Sequence, residues 1–321
     1  MNVPSAQNCL LCGGGLDRFL EGLTDDRFAA PGVYAIARCR LCGTEQTVPR
    51  PSPAELQELY EKHYNFGGAK TAAGARSVYT RLRERLFRSW LYRLWLRLDG
   101  DVSFHLVRGR GRLVDVGCNE GRGLERYRDN GFAPEGLELN RVAAEEARGR
   151  GFRVHTVTLD AFAPDEPFDV AVMSNVLEHM PDPRAAIRDL RRILAPHGEA
   201  WISLPNADSR YRRLFGRNWI NWHVPYHLTH FSPAGLRRLL AEEGFAVTHS
   251  RCVTPAPWLA LSILAAIYAR PGQPTRELRS TFVVAGLMLV LRGLLFPALF
   301  LLNQAMRGDC LVVRARKSVE E

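Results

Sequence analysis

Short apolar runs of strand length recur through the middle of the chain, and stretches of helical character separate them. The runs occupy residues 112–117, 134–139, 153–157, 167–175 and 199–204. Strands that alternate with helices are typical of a parallel sheet with helices on its faces. The run at 167–175 ends in polar residues. In a parallel sheet, the carboxyl ends of the strands face a ligand crevice. The pattern therefore predicts an α/β, Rossmann-like domain.

The last third of the chain predicts two more strands around a hydrophobic insertion. A capped helix over 232–243 precedes a strand at 244–249, and the final strand follows at 309–316. Together with the five runs above, these strands make a seven-stranded sheet.

The insertion before the last strand, residues 255–307, contains apolar runs at 257–269 and 282–302. The second run is long enough to cross a bilayer. A single crossing is disfavoured, because strands of one sheet must lie on one side of a membrane. We predict a helical hairpin over 257–302 that lies in or on one membrane leaflet, with flanking arginines near anionic headgroups. The alternative is a pair of helices packed on the protein or across a dimer interface.

Two cysteine motifs define the N-terminal segment, residues 1–50: Cys9-Leu-Leu-Cys12-Gly and Cys39-Arg-Leu-Cys42-Gly. Each CxxC turn can direct two thiolates at one ion, so two turns form a closed tetrahedral site. We predict a structural Zn²⁺ ion that stabilises a small ribbon, with redox activity as the less favoured alternative.

Residues 51–100 are expected to form a helical linker or lid. Ser52 is placed to cap a helix over 53–64, a glycine- and alanine-rich loop follows at 67–74, and a second helix runs over about 78–98. Basic residues concentrate at 76–97, but tryptophan and leucine side chains are interleaved with them at helical spacing. This interleaving makes a nucleic-acid partner unlikely, although the net charge of +9 invites one.

The composition is ordinary for a soluble globular protein of 321 residues, with 46% hydrophobic and 24% charged residues. The N-terminus lacks the charged-then-apolar pattern of a secretory signal peptide. We therefore expect a cytoplasmic protein with reduced cysteines, located at the cytoplasmic face of the membrane if the hairpin contacts lipid.

The run at 112–117 leads directly into a glycine-rich turn and a helix, which is a common site for a nucleotide-like cofactor. Gly117 and Gly121 let the backbone approach such a ligand without an intervening side chain. Glu138 closes the next strand about twenty residues downstream, where a carboxylate can accept hydrogen bonds from both ribose hydroxyls. The turn alone does not distinguish NAD from other cofactors.

Taken in order, four motifs resemble those of class I S-adenosylmethionine (SAM)-dependent methyltransferases: Asp115-Val-Gly117-Cys-Asn-Glu-Gly121, Glu138, Asp160 and Asn175-Val-Leu-Glu178-His179. The resemblance covers about 113–252 and resumes in the last strand. It implies that Asp115 and Gly117 hold the methionine end of SAM, Glu138 the ribose and Asp160 the adenine amine, while Asn175 lines the pocket. The remaining cofactor-contacting positions implied are Cys118, Asn119, Gly121, Leu139 and Ala161. Asn119 departs from the family, which usually has glycine there, but asparagine tolerates left-handed backbone angles.

A loop rich in tryptophan and histidine, residues 218–233, follows the fifth strand and is named here the Trp/His loop. Methyl transfer to a hydroxyl needs a base, and histidine titrates in the useful range. His179 and His227 are the leading candidate bases, followed by His223 and His230, and Glu178 completes the candidate catalytic set: His179, His227, His223 and Glu178. The alternatives are histidines that only hydrogen-bond the loop together, or a zinc site made by the three loop histidines.

These observations predict the following organisation: a zinc ribbon at 1–50, a linker or lid at 51–100, a methyltransferase domain at 101–254 and 308–317, and the hydrophobic insertion at 255–307. The expected activity is methyl transfer from SAM to a small acceptor, a sugar, glycan or lipid-linked precursor. The ribbon resembles those of deoxysugar C-methyltransferases, but their extra C-terminal domain is missing, so O-methylation is favoured over C-methylation. An RNA methyltransferase whose ribbon grips RNA and a non-catalytic SAM-binding scaffold are the alternatives. The acceptor and the oligomeric state stay open.

Overall fold

The computed structural model describes residues 8–63, 85–271, 273–275, 278 and 280–318. Its main sheet has seven strands in the order β10-β11-β8-β7-β4-β5-β6. Strands β6, β5, β4, β7 and β8 are parallel, and β11 is antiparallel to both β8 and β10. The strands are β4 Arg112–Val116, β5 Ala133–Leu137, β6 Arg153–His155, β7 Phe168–Ser174, β8 Leu194–Pro205, β10 Phe245–Val253 and β11 Cys310–Lys317. The predicted α/β Rossmann-like sheet is confirmed.

Helices cover both faces of this sheet, so its strands are apolar on both sides. Alternate residues of neighbouring strands enter two separate cores: Val114 and Met173 lie in one, Leu113 and Val172 in the other. The helices of the described chain are Pro53–Lys62, Trp90–Asp99, Arg122–Asp129, Arg141–Gly149, Pro183–Ile193, Arg210–Phe215, Pro233–Glu242, Ala256–Tyr268 and Thr281–Gln304.

Two of the predicted helix starts have the expected caps. The Ser52 hydroxyl accepts a hydrogen bond from the Glu55 amide and the Glu55 carboxylate accepts one from the Ser52 amide, which is a complete capping box. The Ser232 hydroxyl caps the helix Pro233–Glu242 by accepting one hydrogen bond, from the Gly235 amide. The predicted helix at 78–98 is interrupted at Ser89, which caps Trp90–Asp99. Its residues 78–84 and the predicted loop at 67–74 lie outside the described residues.

The N-terminal segment forms a second sheet in the order β1-β2-β3-β9, with β1 Leu16–Leu23, β2 Tyr34–Cys39 and β3 Glu45–Val48. Strand β9, Thr229–His230, comes from the Trp/His loop and pairs antiparallel with β3. The Thr47 amide donates to the Leu228 carbonyl and the Thr47 hydroxyl to the His227 carbonyl, at 3.1 and 2.6 Å. The ribbon is therefore hydrogen-bonded directly to the loop that follows the fifth strand of the main sheet.

The hydrophobic insertion forms the two helices expected from its apolar runs, and the two helices contact each other. Ala256–Tyr268 is largely buried, with Leu259, Leu261 and Leu264 in the interior. Within Thr281–Gln304, the segment Val283–Gln304 has the length and hydropathy of a membrane span, and only 17% of its apolar 18-residue window is buried. By length and composition it is the one such segment in the described chain. The hairpin thus combines a packed helix with an exposed apolar one.

Candidate active site

The glycine-rich turn between β4 and the helix Arg122–Asp129 presents bare backbone at the carboxyl edge of the sheet. The amides of Gly117 and Cys118 both donate to the Leu137 carbonyl, at 2.7 and 3.1 Å, which joins this turn to the end of β5. Gly117, Asn119 and Gly121 have φ angles of +77°, +51° and +75°. These left-handed conformations explain why glycine or asparagine is needed at each position.

Asp115 lies in β4 just before this turn and is buried. Burial, together with the nearby negative charge of Glu138, raises the pKa of the Asp115 carboxyl to about 8. A cationic ligand group beside it would restore the ionised carboxylate, because an opposite charge favours that form. The ammonium group of a bound amino acid moiety has the required charge.

Glu138 directly follows β5, and backbone amides hold both of its carboxylate oxygens. Oε2 accepts from the Asn119 amide at 2.9 Å, and Oε1 accepts from the Asn140 amide at 2.7 Å. A carboxylate has about four acceptor sites, so lone pairs remain for two further hydroxyl donors. The carboxylate is therefore fixed in orientation beside the turn. Its neighbour Leu139 is 63% exposed, as expected of a side chain that a ligand could cover.

The positions predicted to meet the adenine lie in the loop after β6. Asp160 and Ala161 are both exposed, and the Thr158 hydroxyl lowers the pKa of Asp160 by hydrogen bonding. Arg192, which sequence reasoning did not single out, binds this loop from the helix Pro183–Ile193. Its guanidinium donates to the carbonyls of Leu159, Asp160 and Phe162 at 2.9, 3.1 and 2.7 Å. Nothing in the local sequence around Arg192 indicates this contact.

Asn175 closes β7 in a left-handed conformation, φ +55°, and its amide donates to the Ser203 carbonyl. Its side-chain Oδ1 is buried and has no hydrogen-bond partner in the described part of the chain. Val176 follows, and a Cβ added to Gly117 would lie 3.0 Å from its Cγ2. The segment after β7 therefore touches the glycine-rich turn.

A compact cluster of Glu178, His179, His223 and His227 lies beyond this segment. The rings of His179 and His227 have centroids 4.6 Å apart, and those of His223 and His227 are 4.9 Å apart. His227 Nε2 is 4.0 Å from Glu178 Oε1 and 3.4 Å from His223 Nδ1. The four predicted catalytic residues are thus brought together by the fold.

Burial controls the ionisation of this cluster. Glu178 is 2% exposed, and desolvation raises the pKa of its carboxyl to about 8. Desolvation also lowers the pKa of His179 to about 4 and holds the pKa values of His223 and His227 well below the ordinary histidine value. At neutral pH the three imidazoles are therefore uncharged, the form that can accept a proton or bind a cation.

The fourth histidine considered, His230, belongs to a different environment. It lies in β9, and its Nε2 is 3.2 Å from the Thr47 hydroxyl of the ribbon. The three loop histidines do not converge on one point in the described chain. Two groups of side chains there could hold a metal ion. One is Cys9, Cys12, Cys39 and Cys42, and the other is Glu178, His179 and His227.

Two residues that support the cluster were missed from the sequence. The Tyr60 hydroxyl, from the linker helix Pro53–Lys62, is 2.9 Å from His179 Nδ1. The buried Asp309 carboxylate accepts from Trp219 Nε1 at 2.7 Å and from the Ser209 hydroxyl at 2.6 Å, which fixes the Trp/His loop to the start of β11. Both contacts join segments remote in sequence, so no local motif could reveal them.

The four cysteines of the ribbon also converge. Sγ atoms lie 3.5 Å apart for Cys9 and Cys42 and 3.4 Å apart for Cys12 and Cys39, and none of the four forms a disulfide. Tetrahedral zinc with Zn–S bonds of about 2.3 Å requires sulfur separations of roughly 3.8 Å. The Cys42 amide and the Gln46 side chain donate to Cys39 Sγ and Cys9 Sγ. The donor set and its spacing fit a structural zinc ion.

Comparison with known proteins identifies the family. The family described as "Methyltransferase domain" matches residues 79–250, slightly more than half of the chain. The chain belongs to this family, and its cofactor is S-adenosylmethionine. The fold and the glycine-rich turn are therefore those of a methyltransferase domain.

Several curated proteins to which the chain is similar are O-methyltransferases. A "Ubiquinone biosynthesis O-methyltransferase" of Ralstonia nicotianae is 33% identical over 116 residues, which cover 34% of this chain and 48% of that protein. The protein of the same name in Neisseria meningitidis serogroup C is 27% identical over 176 residues, which cover 50% and 73%. The chain spans about half the length of several of the curated relatives it matches.

The chain is also similar to solved structures of methyltransferases. Burkholderia thailandensis 1,6-didemethyltoxoflavin-N1-methyltransferase, solved with 1,6-didemethyltoxoflavin and S-adenosylhomocysteine, is 17% identical with a TM-score of 0.47, covering 89% of this chain and 96% of that chain. A putative methyltransferase in complex with the Haloferax volcanii Trm112 activator is 18% identical with a TM-score of 0.48, covering 75% and 96%.

Proposed function

We propose that this methyltransferase transfers the methyl group of SAM to a hydroxyl oxygen of a small acceptor, a sugar, glycan or lipid-linked precursor. The observation that carries the proposal is the buried cluster of Glu178, His179, His223 and His227, in which Glu178 lies two residues after Val176, the residue that borders the glycine-rich turn. Neutral imidazoles beside a cofactor crevice suit removal of a hydroxyl proton. The names of the curated O-methyltransferase relatives support oxygen as the acceptor atom.

In the proposed reaction, Asp115, Gly117 and Glu138 hold the methionine and ribose ends of SAM, and Cys118, Asn119, Gly121, Leu139, Asp160, Ala161 and Asn175 complete the cofactor site. His179 or His227 takes the proton of the acceptor hydroxyl. The oxygen electron pair forms the new C–O bond as the S–C bond breaks, and its electrons return to sulfur to leave S-adenosylhomocysteine. Alignment of the two reactants supplies much of the acceleration in such a displacement.

A membrane surface is the proposed location of the acceptor. The helix Thr281–Gln304 exposes apolar side chains including Leu289, Leu294 and Leu301, which would otherwise remain in contact with water. A lipid-linked acceptor at the cytoplasmic face would be concentrated beside the crevice by such contact. We also propose that Cys9, Cys12, Cys39 and Cys42 bind a structural Zn²⁺ ion.

The proposal is tested by incubating purified protein and methyl-labelled SAM with separate lipid, glycan and RNA fractions. Label is expected in a lipid or glycan fraction, and H227A should lower its incorporation by about 10²-fold, the contribution of a general base. H249A is the control, because His249 lies in the edge strand β10 away from the cluster. Label entering RNA alone would reject the acceptor class, and SAM binding without transfer to any fraction would favour a scaffold protein.

A further inference from the structure

We propose that Glu178, His179 and His227 bind a divalent transition-metal cation, at a second site separate from the four cysteines. Each of the three side chains brings one ligand atom within 4.8 Å of the others. The role of this metal site rests on the proposed function. Its existence does not, because the site is inferred from the donor atoms themselves.

The Glu178 side chain is the strongest indication. It is 98% buried, and neither carboxylate oxygen has a hydrogen-bond partner in the described part of the chain. Buried polar atoms are almost always hydrogen-bonded, so two such atoms on one side chain indicate a ligand. A buried carboxylate is commonly paired with a cation or coordinates a metal. The imidazole of His227, beside it, is also a common metal ligand.

The orientation of His227 supplies a lone pair in the right place. Its Nδ1 is 2.8 Å from the Asn221 carbonyl, which can only accept a hydrogen bond, so Nδ1 carries the proton. Nε2 therefore carries the lone pair, and it lies 4.0 Å from Glu178 Oε1 and 3.4 Å from His223 Nδ1. Metal-binding histidines typically donate their second ring N–H to a carbonyl or carboxylate in this manner.

The elements that carry the donors are held together by backbone hydrogen bonds. The Leu228 amide, next to His227, donates to the Glu178 carbonyl at 2.8 Å. The Tyr60 hydroxyl, 2.9 Å from His179 Nδ1, fixes the third ring. A cation about 2.1 Å from each donor requires donor separations of at most about 4.2 Å, slightly shorter than the 4.8 Å within which the three atoms lie.

Two imidazoles and one carboxylate favour Fe²⁺, Mn²⁺ or Zn²⁺ and leave coordination positions open. At a methyltransferase site, an acceptor hydroxyl bound at an open position would lose its proton more easily, because a metal ion lowers the pKa of a bound oxygen. With His179 and His227 bound to the ion, His223, the remaining imidazole of the cluster, would take that proton. The four thiolates of the ribbon favour zinc over Mn²⁺. Mn²⁺ therefore distinguishes the two sites.

The experiment titrates zinc-loaded protein with Mn²⁺ and follows unbound Mn²⁺ by electron paramagnetic resonance. One saturable Mn²⁺ per chain is expected, and E178Q and H227A should each weaken it at least about tenfold, the scale of losing one ligand group. H249A is the matched histidine control and should bind Mn²⁺ as the unaltered protein does. Calorimetric SAM binding by each variant shows that it is folded.

Absence of saturable Mn²⁺ binding, or binding that E178Q and H227A leave unchanged, overturns the site. Methyl transfer is measured in parallel, so the two proposals can fail separately. Mn²⁺ binding without transfer to any acceptor rejects the proposed function alone, and transfer by protein that binds no Mn²⁺ rejects the metal site alone.

Discussion

Asn119 adopts a left-handed conformation at φ +51°, and its side chain stabilises the turn. Its Oδ1 accepts from the Glu120 amide at 2.9 Å, while its own amide donates to Glu138. A single asparagine thus adopts the left-handed conformation and joins the turn to Glu138 at the end of the neighbouring strand. The expectation that asparagine would be tolerated here agrees with the geometry.

Gly121 has a stricter requirement than Asn119. An added Cβ would lie 2.7 Å from the Cβ of Ala147, and its φ of +75° is left-handed. We expect G121A to lower the free energy of unfolding by about 2–4 kcal/mol, from backbone strain and overpacking. G149A is the control, since its Cβ would meet open space; it should change stability by less than about 1 kcal/mol. Equal effects in denaturant titrations would contradict this account.

Glu138 is expected to bind the ribose of SAM through its remaining lone pairs. E138A should raise the dissociation constant for SAM by about 10- to 100-fold, since a hydrogen bond to a charged group contributes about 1.5–3 kcal/mol. E138Q, which keeps one acceptor oxygen, should have a smaller effect. Calorimetry provides the measurement, with E166A as a control at an exposed carboxylate remote from the turn. SAM affinity that is the same in E138A and E166A would refute the role.

At the scale of elements, the two insertion helices have different environments although both are apolar in sequence. Ala256–Tyr268 packs beneath the Trp/His loop, where the Ser262 hydroxyl accepts from the Ile220 amide at 3.1 Å. Thr281–Gln304 contacts the body at fewer points, among them an ion pair between Arg292 and the buried Asp99 at 3.7 Å. Composition alone could not separate the buried helix from the exposed one.

Membrane contact by the exposed helix makes a direct prediction. Leu294 and Leu301 are 75% and 67% exposed, so L294E/L301E should leave the thermal midpoint nearly unchanged. The same change should reduce sedimentation with anionic vesicles severalfold, because each charge opposes burial in the lipid interface. V33E, at an exposed valine of the ribbon, is the control. If L294E/L301E leaves vesicle binding unchanged, the exposed side of the helix Thr281–Gln304 does not contact the membrane.

At the scale of the whole molecule, the ribbon and the candidate active site form one hydrogen-bonded unit. Strand β3 pairs with β9, and Thr47 binds the backbone on both sides of His227. Arg212 further joins the ribbon to the sheet domain through the buried Glu45, at 2.8 Å. The ribbon therefore positions the loop that carries the histidines.

Removal of zinc tests this coupling. C12S/C39S, or treatment with a thiolate-competing chelator, should abolish most methyl transfer because β3 loses its structural support. SAM affinity should change far less, since the glycine-rich turn and Glu138 lie on β4 and β5 of the main sheet. Zinc content, transfer and calorimetry are measured on the same samples, and reloading with zinc should restore transfer to chelated protein. Full transfer by zinc-free protein would disprove the coupling.

The sequence by itself determined the seven strands, the parallel character of the sheet through β8 and the cofactor turn. Each depends on local periodicity or on a contiguous motif, which neighbouring residues specify. Only the tertiary structure decided that Tyr60 meets His179, 119 positions away, and that Thr47 meets the His227 backbone, 180 positions away. It also grouped Glu178 with His227 and directed His230 to the ribbon. Such contacts depend on how distant elements pack, and no short stretch of sequence encodes that packing.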